Sequence, residues 1–264
     1  MPRRTSVVWH GSRRETMHSL RLGNPGLVVA CRPTALNAVA AYTRAKWNGP
    51  TTGRRSAITV AAHSRPRPEF QGADLPGGLT AYLGQRVPQV VSEWPSHPAA
   101  VLVPLHQETG EWKVLFTRRT DSVDAHPGQV SFPGGRLEPT DRDSRGAALR
   151  EAEEEIGLLP EDVSILGVLD SLLTVTQFLV TPVVASIPWP YRLTLNPHEV
   201  ASAFSVPVDW LADPAHVEAR ERPGPSLGRT PIVYYFRPLE GEVIWGVTAR
   251  ITLQLIEALR QSFS

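Results

Sequence analysis

The spacing of apolar residues changes along this chain, and each change marks an element. Leu79, Tyr82 and Leu83 fall at helical spacing and predict a short amphipathic helix over Pro76–Arg86. Pro98–Leu105 is almost continuously apolar, as a buried strand requires, and Trp112–Thr117 pairs back on it after a turn at Gly110. A loop, Asp121–Gln129, leads to the short run Val130–Phe132 and then to Pro133-Gly134-Gly135. Beyond a polar stretch, a helix carries Arg150, Glu151, Glu153, Glu154 and Glu155 on its polar side, with Ala148, Ala152, Ile156 and Leu159 opposite and Gly157 as its stop. Val163–Asp170 and Phe178–Ile187 read as strands, and Asn196–Val200 as a turn entering a strand or short helix. Ala203–Val208 and Ile232–Phe236 are further strands, joined by a polar, Pro- and Gly-rich connection over Asp213–Pro231. Thr248–Gln261 closes the pattern as a helix with Ile251, Leu255, Ile256 and Leu259 on one stripe. Mixed strands with two substantial helices predict an α/β sandwich, its helices packed on the sheet faces.

Charge divides the chain more sharply than hydropathy does. Residues 1–74 hold 12 Lys and Arg against 3 Asp and Glu, while the remainder holds 15 against 23, so a net charge of +1 conceals two opposite parts. The basic part is poorly patterned and is expected to be disordered, or non-native sequence from an upstream start. An organellar targeting segment and a nucleic-acid-binding arm are the competing readings. The domain division expected is therefore a basic extension over 1–74 and a folded domain over 75–264. A lone Cys31 excludes an intramolecular disulfide and suits a reducing, cytoplasmic location, or an organellar one if the basic segment is a targeting signal. No apolar run is long enough to predict a transmembrane helix, so no membrane partner is expected.

The polar face of the Glu-rich helix carries the chemistry. Residues three and four apart share a helix face, so Glu151, Glu154 and Glu155 project together. Three carboxylates at one spot repel one another unless a hard divalent cation, Mg²⁺ above all, offsets their charge, and such ions are commonly shared with substrate phosphates. The alternative for the helix alone is a solvated acidic face.

The stretch leading into that helix resembles the Nudix box, in which a Gly, five residues, a Glu and seven residues precede R-E-U-x-E-E-x-G-U, with U aliphatic or small. Gly135 opens the match, and Arg150-Glu151-Ala152-Glu153-Glu154-Glu155-Ile156-Gly157-Leu158 supplies its second half. Asp141 stands where the loop Glu belongs, and eight residues rather than seven separate it from Arg150. The resemblance implies a Nudix-type α/β/α sandwich with a mixed sheet and hydrolysis of a nucleoside diphosphate derivative with Mg²⁺ or Mn²⁺. Glu151, Glu154 and Glu155 would be the metal-binding carboxylates, the Gly135 carbonyl a further ligand, and Arg150 the residue bracing the loop. Glu153 would face solvent.

A narrower resemblance lies upstream. Leu115, Thr117, Arg119, Gly128 and Phe132–Gly135 are similar to the signature of coenzyme A pyrophosphatases, with Thr120 in place of Ser and Asp124 in place of an Arg. Ile244–Arg250 and Asn196–Val200 look like further segments of that subfamily. The resemblance implies cleavage of CoA or acyl-CoA to 3′,5′-ADP and (acyl-)4′-phosphopantetheine. Because Asp124 reverses a charge, ADP-ribose or another nucleoside diphosphate derivative is the alternative substrate, and a non-catalytic ligand sensor is the reading from another class. Arg119 and Arg136 are candidate substrate contacts, and Glu199 a candidate additional base or metal ligand. His126, Trp189 and Tyr191 are weaker candidates, better explained as polar surface or packing. A small CoA-like nucleotide is the expected partner, nucleic acid is disfavoured, and a homodimer stays open.

Overall fold

The computed structural model describes residues 69–90, 97–121, 128–221 and 232–264. The expected disorder, targeting and nucleic-acid roles of the basic segment fall on residues that lie, up to residue 68, outside these. So do Asp124 and His126.

Helix α1 (Leu75–Gly84) begins at Asp74, whose carboxylate accepts the Gly77 N–H, and buries Leu75, Leu79 and Leu83. The central sheet is built on β1 (His97–Glu108), which runs parallel to β7 (Phe178–Ser186) on one side. On its other side β1 pairs antiparallel with β4 (Gly134–Arg136) through its first half and with β2 (Glu111–Arg119) through its last four residues. Strand β2 also pairs with β3 (Val130–Ser131) and with β8 (Val200–Pro207), and β7 with β5 (Ser164–Val168) and β6 (Leu172–Leu173). One parallel pair among antiparallel ones makes the sheet mixed. Pairing of β2 with β8 slips by one residue. Arg118 lies opposite Ser202 but Arg119 opposite Val200, leaving the exposed Ala201 as the extra residue of a bulge.

Alternation along the strands sorts side chains into two cores. Ala100, Leu102, Leu115, Val183 and Ala185 face helix α2 (Ser144–Ile156), against its Ala147, Ala148, Ala152 and Ile156. Val103, Leu105, Val114, Phe116 and Val184 face the other way, toward α1 and the C-terminal helix. Such an arrangement is the α/β/α sandwich expected. Among the described residues no helix is long and apolar enough to cross a membrane.

Two sequence expectations need correction. Leu159 is 41% exposed, and the fully buried residue beyond the helix is Leu158. The helix stops at Gly157, which adopts φ 68°, so the 3.6-residue period no longer governs which neighbour points inward. Likewise, Asp213–Pro231 is not merely a connection. Helix α3 (Val208–Ala212) replaces the end of the expected strand, and β9 (Val217–Glu221) forms a two-stranded sheet with β10 (Ile232–Phe236). Helix α4 (Gly246–Ser262) is the closing helix, and its Thr248 hydroxyl donates to the Val130 carbonyl of β3.

Candidate active site

Helix α2 starts at Asp143, whose carboxylate accepts the N–H groups of Arg145 and Gly146 at 3.0 Å, a standard N-cap. Strand β4 passes so close to β1 that a Cβ on Gly134 would overlap the Ala100 carbonyl oxygen, and a Cβ on Gly135 would overlap the Glu151 carboxylate. The glycine pair thus lets the backbone and the helix carboxylates approach within bare contact distance.

Arg150 fixes the loop between them. Its guanidinium makes a two-pronged bond to Asp141, both distances 3.1 Å, and a third bond to the Arg136 carbonyl. Asp141 also accepts the Glu138 N–H at 2.7 Å. Bonding to Arg150 holds the Asp141 carboxyl below its ordinary range, and the same bond holds the Arg150 guanidinium charged. The shorter Asp therefore reaches Arg150 in spite of the extra residue between them.

The three helix glutamates are not equivalent. Glu155 is 3% exposed and Glu151 is largely buried, whereas the Glu154 side chain is 56% exposed and bonds Arg150 at 3.1 Å. Burial pushes the Glu155 carboxyl up to about 8; Arg119, 3.9 Å away, and the Gly134 N–H oppose the shift, while Glu199 and Glu151 add to it. Glu151 is raised for the same first reason, burial, with Arg150 opposing and Glu154 and Glu199 adding. Glu153 points into solvent.

Glu199 is 44 residues beyond Glu155 in the chain, yet its turn is tied to the helix by the Asn196 N–H on the Glu155 carbonyl at 2.9 Å, near enough for its charge to be felt by both carboxyls. It comes from the turn that leads into β8, next to the end of β2. Arg119 also lies here, facing Glu155, while Arg136 is exposed, with its guanidinium 4.9 Å above the Phe178 ring. Trp189 and Tyr191 are packing residues. Trp189 stacks on His106 and donates to Glu108, and Tyr191 bridges Asp162 and the Leu159 N–H.

The donors gathered here are all oxygen, which suits Mg²⁺ or Mn²⁺ over softer ions. Glu151, Glu155 and Glu199 share the site with two guanidiniums, Arg119 at 3.9 Å from Glu155 and Arg150 at 3.1 Å from Glu151, but Arg150 also serves Asp141 and Glu154, so carboxyl groups outnumber cations and a divalent cation would offset the difference. As they stand, no three carboxylate, imidazole or thiol groups among the described residues close around a common point. Thr120 and Asn196, which the sequence placed in subfamily-like segments without a role, hold the Glu199 turn from either side. Asn-Pro was the available signal.

The NUDIX domain family model matches residues 95–227. A Nudix hydrolase NudL of Pectobacterium atrosepticum, itself uncharacterized, is 36% identical over 182 residues, covering 67% of this chain and 90% of that protein. The peroxisomal coenzyme A diphosphatase NUDT7 of Mus musculus is 40% identical over 119 residues, covering 45% of this chain and 50% of that protein. Of solved structures, the NUDIX domain of Shewanella oneidensis NrtR complexed with ADP ribose is 18% identical with a TM-score of 0.40, covering 70% of this chain and 97% of that one.

Proposed function

The chain belongs to the Nudix family, and from that premise we propose that it is a divalent-cation-dependent hydrolase of the diphosphate in coenzyme A or acyl-CoA. The observation that carries the reading is the burial of Glu151 and Glu155 against the Gly134-Gly135 turn, with Glu199 brought in from outside the helix. Buried carboxylates grouped in this way cost stability, and they make sense where a cation and a phosphate chain complete the site.

Glu151, Glu155 and the Gly135 carbonyl would hold Mg²⁺ or Mn²⁺, with Glu199 as a further ligand or base; Glu154, exposed and bound to Arg150, would join them by turning away from that guanidinium. When bound, the ion neutralises diphosphate oxygens and lowers the pKa of water. Arg150 keeps Gly135 and the helix in register through Asp141 and the Arg136 carbonyl, so its part is to orient. Arg119 presents a guanidinium to the same pocket and is suited to the phosphates of the substrate; Arg136, at the rim, is the second candidate. The reaction adds water across the P–O–P bridge. One phosphorus gains the oxygen, the bridging oxygen leaves with the other, and the products are 3′,5′-ADP and (acyl-)4′-phosphopantetheine.

Support for CoA as the substrate comes from Leu115, Thr117, Arg119, Gly128 and Phe132–Gly135, and from the similarity to a coenzyme A diphosphatase. The domain proposed to carry the activity spans 75–264. Hydrolysis of CoA and of ADP-ribose, each with Mg²⁺ and with Mn²⁺, is the deciding assay. CoA is expected to be cleaved the faster; preference for ADP-ribose would shift the substrate, and no metal-dependent hydrolysis of either would overturn the reading. Glu151→Gln is expected to lower turnover by about 10²-fold or more while its far-ultraviolet circular dichroism is unchanged.

A further inference from the structure

The turn Asn196–Glu199 is gripped from both sides. On one side, the Asn196 backbone N–H donates to the Glu155 carbonyl at 2.9 Å, fastening the turn to the last turn of α2. The Asn196 side-chain oxygen accepts the His198 N–H at 3.1 Å. With its oxygen committed to that donor, the carboxamide must present its NH₂ to the other neighbour, and it donates to Glu199 Oε1 across 3.4 Å. On the other side stands Thr120, just beyond β2. Its N–H donates to the Glu199 carbonyl at 2.9 Å and its hydroxyl to the His198 carbonyl at 3.0 Å.

These contacts answer a physical difficulty. Glu199 carries a flexible side chain beside two other carboxylates, and repulsion favours its swinging out to water. Backbone bonds on both flanks fix its Cα, and the Asn196 amide offers its carboxylate a donor within the turn.

We propose that Asn196 and Thr120 are positioning residues that keep the Glu199 carboxylate with Glu151 and Glu155. On this account the Thr120 position of the upstream signature serves the diphosphate site through the 196–199 turn rather than by touching substrate. The proposal rests on the hydrolase reading above.

Asn196→Asp is the critical variant. It keeps the oxygen that accepts the His198 N–H, so the turn survives, but it replaces the donor facing Glu199 with a like charge. In the full chain it is expected to lower kcat about 10- to 100-fold, the range seen when residues supporting a metal site are lost, with KM changed less than about threefold. Mn²⁺ binding to the substrate-free protein, followed by electron paramagnetic resonance, should weaken about tenfold. Thr120→Ser should retain activity and Thr120→Val lose it. Asn196→Asp combined with Glu199→Gln should be no slower than Glu199→Gln alone, because the two act through one group. Wild-type kcat and Mn²⁺ affinity in Asn196→Asp would overturn the proposal, as would a multiplicative loss in the double variant. Should the wild type hydrolyse neither CoA nor ADP-ribose, the hydrolase reading fails, while the Mn²⁺ titration still decides whether Asn196 positions Glu199.

Discussion

A single guanidinium, that of Arg119 at 3.9 Å, faces the buried Glu155, while Glu151 and Glu199 crowd it with like charge. Such a residue is costly to the fold and valuable to the site. With its carboxyl pushed up to about 8, Glu155 must take up a proton to fold at neutral pH without a metal; Glu155→Gln removes that requirement and keeps the shape. In the presence of a chelator it should unfold about 2–8 °C higher than wild type, as expected for a gain of roughly 1–2 kcal/mol, yet be almost inactive. Equal or lower melting temperature would show that Glu155 is not strained in the metal-free protein. Arg150 is the opposite case, since its bonds serve fold and site together. In Arg150→Lys the two-pronged contact to Asp141, whose side chain is only 5% exposed, is lost. A cost of about 2–3 kcal/mol in urea unfolding is expected, because a buried carboxylate loses most of its partners.

Between β1, β2 and β8 lies a polar group inside the sheet. His106 is fully buried, hydrogen-bonds the Ser205 hydroxyl through Nε2 at 2.7 Å, and stacks on Trp189 with ring centroids 3.8 Å apart. Burial pushes its pKa down to about 4, against a rise from Glu108 and with a further lowering from Lys113. The unfolded chain takes up a proton near pH 6.5 and the native protein does not, so this contribution is complete above pH 6.5 and is lost as pH falls towards 4. Glu155 acts with the opposite sign, which makes the difference between wild type and His106→Gln the useful measurement. Between pH 7.5 and 5.0 wild type should lose about 2 kcal/mol more than the variant. A pH-independent difference would mean that His106 titrates normally. His106 was not legible as important in the sequence, because its partner Ser205 is 99 residues away in the chain. Asn196 stood in a segment that resembled the subfamily, but the Glu155 carbonyl that ties its turn to the helix is 41 residues away. Helix α2 was legible because its cap, its core alanines, its carboxylates and its Gly stop occupy one continuous stretch. Strand β9 was not, since Val217 is its only buried side chain and polar residues fill the rest.

Across the whole molecule the two cores share one sheet, so anything that binds at the α2 face is felt as global stability. Mn²⁺ at 100 times its dissociation constant should stabilise the native state by about 2.7 kcal/mol, a melting shift of roughly 5–10 °C for a chain of this size. Glu151→Gln should lose most of that shift. A similar shift in both proteins would place the ion elsewhere. The bulge at Ala201 governs how β8 contributes to the site. Even-numbered residues of β8 beyond the bulge, Phe204 and Val206, belong to the α1–α4 core, yet Val200 belongs to the α2 core. One extra residue has reversed the phase of the strand just before the Glu199 turn. Position 201 therefore behaves as a spacer, important for being present and indifferent in its chemistry. Ala201→Ser should leave hydrolysis within twofold of wild type, whereas deletion of the same residue would turn Val200 to the opposite face and unseat the Glu199 turn. What lineages or designs could vary freely here is the letter; what they could not vary is the count.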